Sequence, residues 1–114
     1  MYKTSFANPH GLSNVLNFST AKDMIELSKY ACTNKDFVKI MNTEEYECDF
    51  FHDDFESISE TKIWKNTNKL LKKGWEGIKT GNTPAAGSCL ASYREGVYIV
   101  VLNCCNLEAR FTET

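Results

Sequence analysis

The sequence predicts an α+β fold in which helices pack against an antiparallel sheet, and two observations carry that prediction. Apolar residues recur at helical spacing over 20–32. Over 77–102, three short strand-like segments follow one another with turn residues between them, as in a β-meander.

Two helices are predicted in the first third of the chain. Thr20 followed by Asp23 forms a capping-box pattern, and a carboxylate in the first turn suits the positive end of the helix dipole. The first helix is therefore predicted over 20–32. A shorter helix is expected to begin at Asn34, where three apolar residues share one face.

A β-hairpin is predicted after the helices. The apolar period changes to two at Tyr46, Cys48 and Phe50, which alternate with acidic residues, and this predicts a half-buried strand. His52-Asp53-Asp54 is interpreted as the turn, and residues 57–64 are predicted to return antiparallel.

The last forty residues predict the meander. Asn66-Thr67-Asn68 provides a cap for a single helical turn that ends at Gly74. Strands are predicted over 77–82, 86–93 and 97–102, with Arg94-Glu95-Gly96 as a tight turn. The third strand is apolar on both faces, so we expect a central strand covered on two sides. The predicted helices are too few to supply that cover, which favours a fold that continues outside these residues.

Composition and charge exclude several classes of protein. The 114 residues are 42% hydrophobic and 25% charged, which is typical of a globular domain and not of a disordered or collagen-like chain. A net charge of -2 without a basic stripe predicts no nucleic-acid partner. No stretch reaches the roughly 20 apolar residues of a spanning helix. No secretory leader follows Met1, and the five cysteines, which form no CxxC pair, are expected to be free thiols.

The segment Gly77-Ile78-Lys79-Thr80-Gly81-Asn82-Thr83 carries the main chemical signal. It offers a lysine cation and a threonine hydroxyl on a predicted strand, followed by a glycine without a side chain. Such a strand edge can bind an extended peptide and can direct a backbone N–H at a developing oxyanion. The triplet Lys-Thr-Gly alone is also compatible with an ordinary exposed strand end.

Further blocks occur along the chain in a recognisable order. They are Phe6-x-Asn8-Pro9-His10-Gly11-Leu12, Ser19-Thr20-Ala21-x-Asp23-Met24, Trp64-x-Asn66-Thr67-Asn68-x-Leu70-Leu71, Gly74-Trp75-x-Gly77-Ile78-Lys79-Thr80-Gly81-x-Thr83-x-x-Ala86-Gly87-x-Cys89-Leu90, Val100-Val101-Leu102-Asn103 and Glu108-Ala109-Arg110. Together they resemble the serine-type D-alanyl-D-alanine carboxypeptidases, which are low-molecular-mass penicillin-binding proteins with the β-lactamase/transpeptidase-like fold.

This resemblance implies an activity and a set of site residues. The family hydrolyses the terminal D-alanine of peptidoglycan-type peptides through an acyl-serine intermediate, without a metal or nucleotide cofactor. The partner implied is a peptide ending in D-Ala-D-Ala, or a β-lactam. Lys79 would attract the terminal carboxylate, Thr80 would donate its hydroxyl to it, and Gly81 would leave room for the substrate. The backbone N–H of Asn82 would be one oxyanion donor, and Thr83 would complete the substrate-binding strand.

The sequence departs from the family pattern at the nucleophile. Ser-x-Asn does not occur in these residues, and Ser-x-x-Lys occurs as Ser19-Thr20-Ala21-Lys22 and Ser59-Glu60-Thr61-Lys62. The first lies in the helix cap and the second in a predicted strand, so neither is assigned as the nucleophile. We therefore expect residues 1–114 to be the C-terminal portion of a catalytic domain, without the N-terminal portion, and inactive alone. A truncated product, a split subunit and a decayed copy remain open.

Other interpretations stay open beside the enzyme. A non-catalytic binding or structural module could keep the carboxylate-binding strand, and a β-lactamase-like hydrolase is a third possibility.

Cys48 with His52-Asp53-Asp54 could suggest a metal site, but an acidic turn is favoured. His10 resembles a loop histidine bordering the family's active site, although a turn-stabilising role fits equally. Trp64 and Trp75 are expected to be core or platform residues. The family is generally exported, but these residues leave the compartment open.

Overall fold

The computed structural model describes residues 1–51 and 58–112. The elements are α1 (Ala21–Ala31), α2 (Lys35–Met41), β1 (Glu45–Phe51), β2 (Ile58–Lys65), a 3-10 turn (Lys69–Lys73), β3 (Glu76–Thr83), β4 (Gly87–Arg94), β5 (Val97–Cys104) and a second 3-10 turn (Ala109–Phe111). Strands β1 and β2 form an antiparallel hairpin, and β3, β4 and β5 form a separate antiparallel meander. The predicted α+β class, both helices and all five strands are confirmed.

Helix α1 begins where the capping pattern predicts. Thr20 is extended, and its side chain accepts a hydrogen bond from the Asp23 amide at 3.1 Å. The Asp23 carboxylate accepts from the Lys3 amide at 2.9 Å and from the Thr4 hydroxyl at 2.6 Å. Asp23 therefore takes part in the helix cap through its amide and attaches the N-terminal segment to the helix through its carboxylate.

Acid is expected to release this N-terminal segment from α1. Hydrogen bonds from the Thr4 hydroxyl and the Lys3 amide hold the pKa of Asp23 below its ordinary value. A lowered folded-state pKa stabilises the fold above the unfolded value of about 3.9, and this contribution is lost as pH falls through the folded value. The NMR shift of the Lys3 amide should therefore titrate with a midpoint below about 3.9.

The Asp23→Asn variant provides the control for this titration, because its side chain cannot ionise. The Lys3 amide shift of that variant should not titrate in the same range. A midpoint above the ordinary carboxyl value, or an identical titration in Asp23→Asn, would contradict the assignment.

The hairpin β1–β2 is more exposed than the sequence predicts. Tyr46 pairs with Trp64 across the two strands, and their exposed fractions are 61% and 57%. Phe50 is 41% exposed. The prediction of a half-buried strand, and of a core role for Trp64, is therefore wrong, while a platform role for Trp64 stays a prediction. Period-two alternation indicates which residues share a face, but the element that would cover that face is not encoded in it. The predicted turn at 52–54 lies outside the described residues.

The meander places its most buried strand in the middle. In β4, Ser88, Leu90, Ala91 and Ser92 are all buried. Strand β5, predicted to be central, lies at one edge of the described sheet, and Val97 is 58% exposed. Within these residues, tight turns make consecutive strands neighbours, so the second strand of the meander lies between the other two whatever its hydrophobicity. A central position of β5 in a fold that continues outside these residues stays a prediction. The tight turn itself is confirmed by positive φ angles at residues 95 and 96.

The core of the meander lies on one face of β4. Leu70, Leu90 and Phe111 form the buried cluster, and Trp75 packs against it as predicted. Both 3-10 turns thus pack on this face, since Leu70 belongs to the first and Phe111 to the second.

A close contact between α2 and β3 positions the strand that carries Lys-Thr-Gly. The Gly77 amide donates to the Asn42 side-chain oxygen at 2.8 Å. A Cβ atom on Gly77 would lie 2.7 Å from the Met41 carbonyl oxygen, which is closer than real contacts allow. Glycine at this position therefore lets the end of α2 meet the start of β3.

Candidate active site

The Lys-Thr-Gly segment lies on a strand edge, as its sequence predicts. Strand β3 is at one edge of the described meander, with β4 as its hydrogen-bonded neighbour. Lys79 pairs with Ala91 and Thr80 with Leu90, so the two side chains point to opposite faces of the sheet. The Lys79 amine donates to the Thr80 carbonyl oxygen, which brings the cation back to the backbone of Thr80. Lys79 is exposed and Thr80 is half-buried.

The Thr80 hydroxyl has a side-chain partner that precedes β3. Its Oγ1 lies 2.5 Å from the Oγ1 of Thr67. Thr67 is in the short segment between β2 and the first 3-10 turn, and its flanking asparagines are firmly bound. The Asn66 side chain donates to two backbone carbonyls, and Asn68 donates to the buried Ser92 hydroxyl at 3.0 Å.

The end of β3 is fixed by polar contacts within the β3–β4 turn. The Thr83 hydroxyl accepts from the Ala86 amide at 3.1 Å, and the Ser88 hydroxyl donates to the Asn82 side-chain oxygen at 3.1 Å. Thr83, predicted to bind substrate, thus has a structural contact in this turn. Gly81 has open space around it, because an added Cβ would meet its nearest atom at 3.9 Å.

A buried arginine, to which no sequence pattern gives a role, lies beneath the same strand. Arg110 is 6% exposed, and its Nη1 donates to the Gly81 carbonyl at 2.8 Å and to the Cys89 carbonyl at 3.0 Å. Its guanidinium also lies 4.7 Å from the ring centre of Phe111. Within the described residues, its buried Nε has no hydrogen-bond partner. A cation is therefore held behind the strand that carries Lys79, and no local spacing in the sequence signals it.

A cavity of about 570 Å³ opens beside the end of the strand. One wall is the N-terminal segment, including Phe6, Leu12 and Phe18, and the other includes Gly81 and Asn82. The walls are largely apolar, and together they place the loop of the Asn-Pro-His-Gly block next to the Lys-Thr-Gly strand.

His10 lies in the loop that borders this cavity, but its contact is local. Its Nδ1 accepts a hydrogen bond from the Leu12 amide at 3.2 Å. This contact stabilises the turn, and Gly11 next to it contributes to the cavity wall. A role for His10 at the border of the cleft stays a prediction.

The remaining candidates from the sequence are not brought together as a site. The Ser19 hydroxyl lies 2.9 Å from the Thr4 hydroxyl, and Lys22 is exposed on α1. The side chain of Ser59 and residues 52–57 lie outside the described part of the chain, so the Cys48 metal hypothesis cannot be placed. Within the described part, no group of three metal-ligating side chains occurs. All five cysteines are free thiols. No helix over 1–51 or 58–112 has the length and apolar character needed to cross a membrane.

The comparison with family models assigns the chain. A model described as D-alanyl-D-alanine carboxypeptidase matches residues 1–104. The chain belongs to this D-alanyl-D-alanine carboxypeptidase family. The match includes β3 and the loop of residues 6–12, so both walls of the cavity lie within the matched part.

Individual relatives of the carboxypeptidase family agree with this assignment. The chain is 36% identical over 97 residues to the D-alanyl-D-alanine carboxypeptidase DacF of Bacillus subtilis, which covers 82% of this chain and 23% of that protein. The crystal structure of the Streptomyces K15 DD-transpeptidase matches with a TM-score of 0.80 at 34% identity, over 90% of this chain and 41% of that one.

A second solved structure extends the likeness and completes the fold assignment. Penicillin-binding protein D2 of Listeria monocytogenes, in its ampicillin-bound form, matches with a TM-score of 0.73 at 27% identity. The match covers 96% of this chain and 45% of the Listeria protein. The chain therefore has part of the β-lactamase/transpeptidase-like fold, and it spans less than half the length of these relatives.

Proposed function

We propose that this chain supplies the carboxylate-binding strand of a serine-type D-alanyl-D-alanine carboxypeptidase. The observation that carries the proposal is the edge strand β3, which carries the Lys79 amine and the Thr80 hydroxyl. The next residues of this strand, Gly81, Asn82 and Thr83, line the apolar cavity. Family membership over residues 1–104 supports this class of substrate. The ligand proposed is an extended peptide that ends in D-Ala-D-Ala, or a β-lactam that resembles it.

Two residues of β3 would bind the carboxylate of the peptide, and the two that follow would accommodate its reacting end. The Lys79 side chain leaves the face opposite to Thr80, but its amine returns to the Thr80 carbonyl oxygen at the strand edge. From there the ammonium attracts the terminal carboxylate, to which the Thr80 hydroxyl donates a hydrogen bond. Because no described residue crowds Gly81, its missing side chain is better explained by a ligand that needs the space than by internal packing. The backbone N–H of Asn82 is proposed as one donor to the oxyanion of the tetrahedral intermediate.

The proposed reaction also needs a serine that these residues do not provide at the site. A serine Oγ attacks the carbonyl of the penultimate D-alanine, and the terminal D-alanine leaves as a free amine after protonation. Water then hydrolyses the acyl-serine ester. Ser19 is bonded to Thr4 and has no lysine partner at hydrogen-bond distance in the described structure. We infer that residues 1–114 form the C-terminal part of the catalytic domain and that the nucleophile lies elsewhere.

This chain is expected to bind the peptide but not to be acylated by a penicillin. An N-acetylated peptide ending in D-Ala-D-Ala should bind saturably in isothermal titration calorimetry, whereas a fluorescent penicillin should leave no covalent label after denaturing electrophoresis. Lys79→Ala should weaken peptide binding by at least about tenfold, because it removes a charge-assisted hydrogen bond.

The control variant is Lys22→Ala, which removes an exposed lysine from α1 and should bind the peptide as tightly as the unchanged chain. The same peptide with a C-terminal carboxamide should bind weakly to all three proteins. Absence of saturable binding to the unchanged chain would refute a working carboxylate site and favour a structural remnant. Covalent penicillin labelling would refute the inference that the nucleophile lies elsewhere.

A further inference from the structure

One hydrogen bond connects the carboxylate-binding strand to a residue to which the reaction chemistry gives no role. Thr67 Oγ1 lies 2.5 Å from Thr80 Oγ1, and either hydroxyl could be the donor. Thr67 is exposed, so its hydroxyl does not need this partner to avoid burial. We therefore consider what the contact does to the orientation of the Thr80 hydroxyl, which is half-buried on β3.

We propose that Thr67 is a positioning residue that orients the Thr80 hydroxyl towards the substrate carboxylate. The inference rests on the proposed function of β3. An ionised carboxylate can only accept hydrogen bonds, so the Thr80 hydroxyl must be the donor in its hydrogen bond to the ligand. The Thr80 oxygen then accepts from the Thr67 hydroxyl, and the direction of the pair is fixed in the bound state. A donor that itself accepts a hydrogen bond is polarised, which strengthens the bond that it makes.

The segment that carries Thr67 is held rigidly enough for this role. The Asn66 side-chain nitrogen donates to the carbonyls of Met41 and Thr43, at 3.1 and 3.0 Å. The Asn66 side-chain oxygen accepts from the Asn68 amide at 2.9 Å. These bonds tie the backbone before Thr67 to the end of α2, which itself packs against β3 through Gly77.

The backbone after Thr67 is anchored at the core. The Asn68 side chain is 4% exposed, donates to the Ser92 hydroxyl and accepts from the Leu70 amide at 3.0 Å. Thr67 is thus an exposed hydroxyl between two fixed asparagines. A hydroxyl held in this way can select one rotamer of its partner, whereas solvent cannot.

The first test measures peptide affinity in a double-mutant cycle of Thr67→Val and Thr80→Val. Thr67→Val should weaken binding of the D-Ala-D-Ala peptide by about fivefold, as expected for one hydrogen bond. If Thr67 acts through Thr80, the double variant should bind no more weakly than Thr80→Val alone. Thr67→Ser restores a hydroxyl and should bind within about twofold of the unchanged chain.

The matched control is Thr33→Val, which removes an exposed hydroxyl that donates to the Tyr30 carbonyl at the end of α1. It should leave peptide affinity unchanged. The C-terminal carboxamide peptide should be insensitive to Thr67→Val, since the carboxylate is absent. Unchanged affinity in Thr67→Val, or losses at Thr67 and Thr80 that add in the double variant, would overturn the proposal.

A second measurement needs no ligand and separates this inference from the proposed function. Three-bond NMR couplings from the Thr80 backbone to its Cγ2 should indicate one χ1 rotamer in the unchanged chain and averaging in Thr67→Val. If the chain binds no peptide, the proposed function fails, but these couplings still test the contact. Identical couplings in the two proteins would overturn the positioning role of Thr67.

Discussion

Replacing Leu90 with alanine is expected to lower the free energy of unfolding by about 2–5 kcal/mol. Leu90 is 1% exposed, lies on the central strand β4 and packs with Leu70 and Phe111. The substitution removes buried methyl groups and leaves a cavity in this cluster. Urea unfolding followed by tryptophan fluorescence measures the loss, since Trp75 packs against this cluster.

A leucine outside the cluster provides the control for this experiment. Leu107 is 50% exposed, and Leu107→Ala should cost less than about 1 kcal/mol. Equal losses in the two variants would mean that the face of β4 occupied by Leu90 is not the core of the folded chain. The register between β3 and β4 would then also be in doubt, because Thr80 pairs with Leu90.

The boundaries of the elements were predictable because the chain marks them with local chemistry. Thr20 and Asn34 cap their helices through side-chain bonds to the third following amide, as their sequence context predicts. Gly74, with φ near +79°, ends the first 3-10 turn where the sequence places its end. These signals act over three or four residues, so a single sequence is enough to detect them.

The burial of the strands was less predictable because it depends on which elements become neighbours. Strand β4 is central and buried although Ser88 and Ser92 give it little apolar character. Strand β5 has the longest apolar run and yet lies at an edge of the described sheet. Hydrophobicity predicts the capacity of a strand for burial, while the order of strands follows from the connections.

The candidate site was predictable only in the strand that carries its motif. Lys79 and Thr80 stand next to each other in sequence, and their strand assignment is confirmed. Thr67 and Arg110 contact the same strand although they are distant in sequence. Thr67 lies 13 positions before its partner Thr80, and Arg110 lies 29 positions after its partner Gly81. No periodicity connects such residues, so the three-dimensional structure is needed to find them.

Replacing Arg110 with methionine is expected to destabilise the chain and to weaken peptide binding together. Arg110 is 6% exposed, and its Nη1 bonds the carbonyls of Gly81 and Cys89 across the paired strands. Methionine fills much of the same volume but leaves both carbonyls without this donor. The free energy of unfolding should fall by about 3 kcal/mol, because the lost hydrogen bonds are buried and charge-assisted.

Peptide affinity should fall in the same variant under conditions where it remains folded. The guanidinium is bonded to the Gly81 carbonyl at the end of the Lys-Thr-Gly triplet, so its charge lies close to the proposed carboxylate site. Arg110→Lys keeps the charge and should retain more affinity than Arg110→Met, although it cannot reproduce the guanidinium contacts. Calorimetric titration with the D-Ala-D-Ala peptide measures this difference.

The control for both effects is Arg94→Met, at an exposed arginine that contacts Glu95 and the Trp75 ring. It should change the free energy of unfolding by less than about 1 kcal/mol and leave peptide affinity unchanged. If Arg110→Met were as stable as the unchanged chain, the two carbonyl contacts would contribute nothing to the fold. If its affinity were also unchanged, the positive charge beneath β3 would have no part in binding, and Lys79 would be the cation on which carboxylate recognition depends.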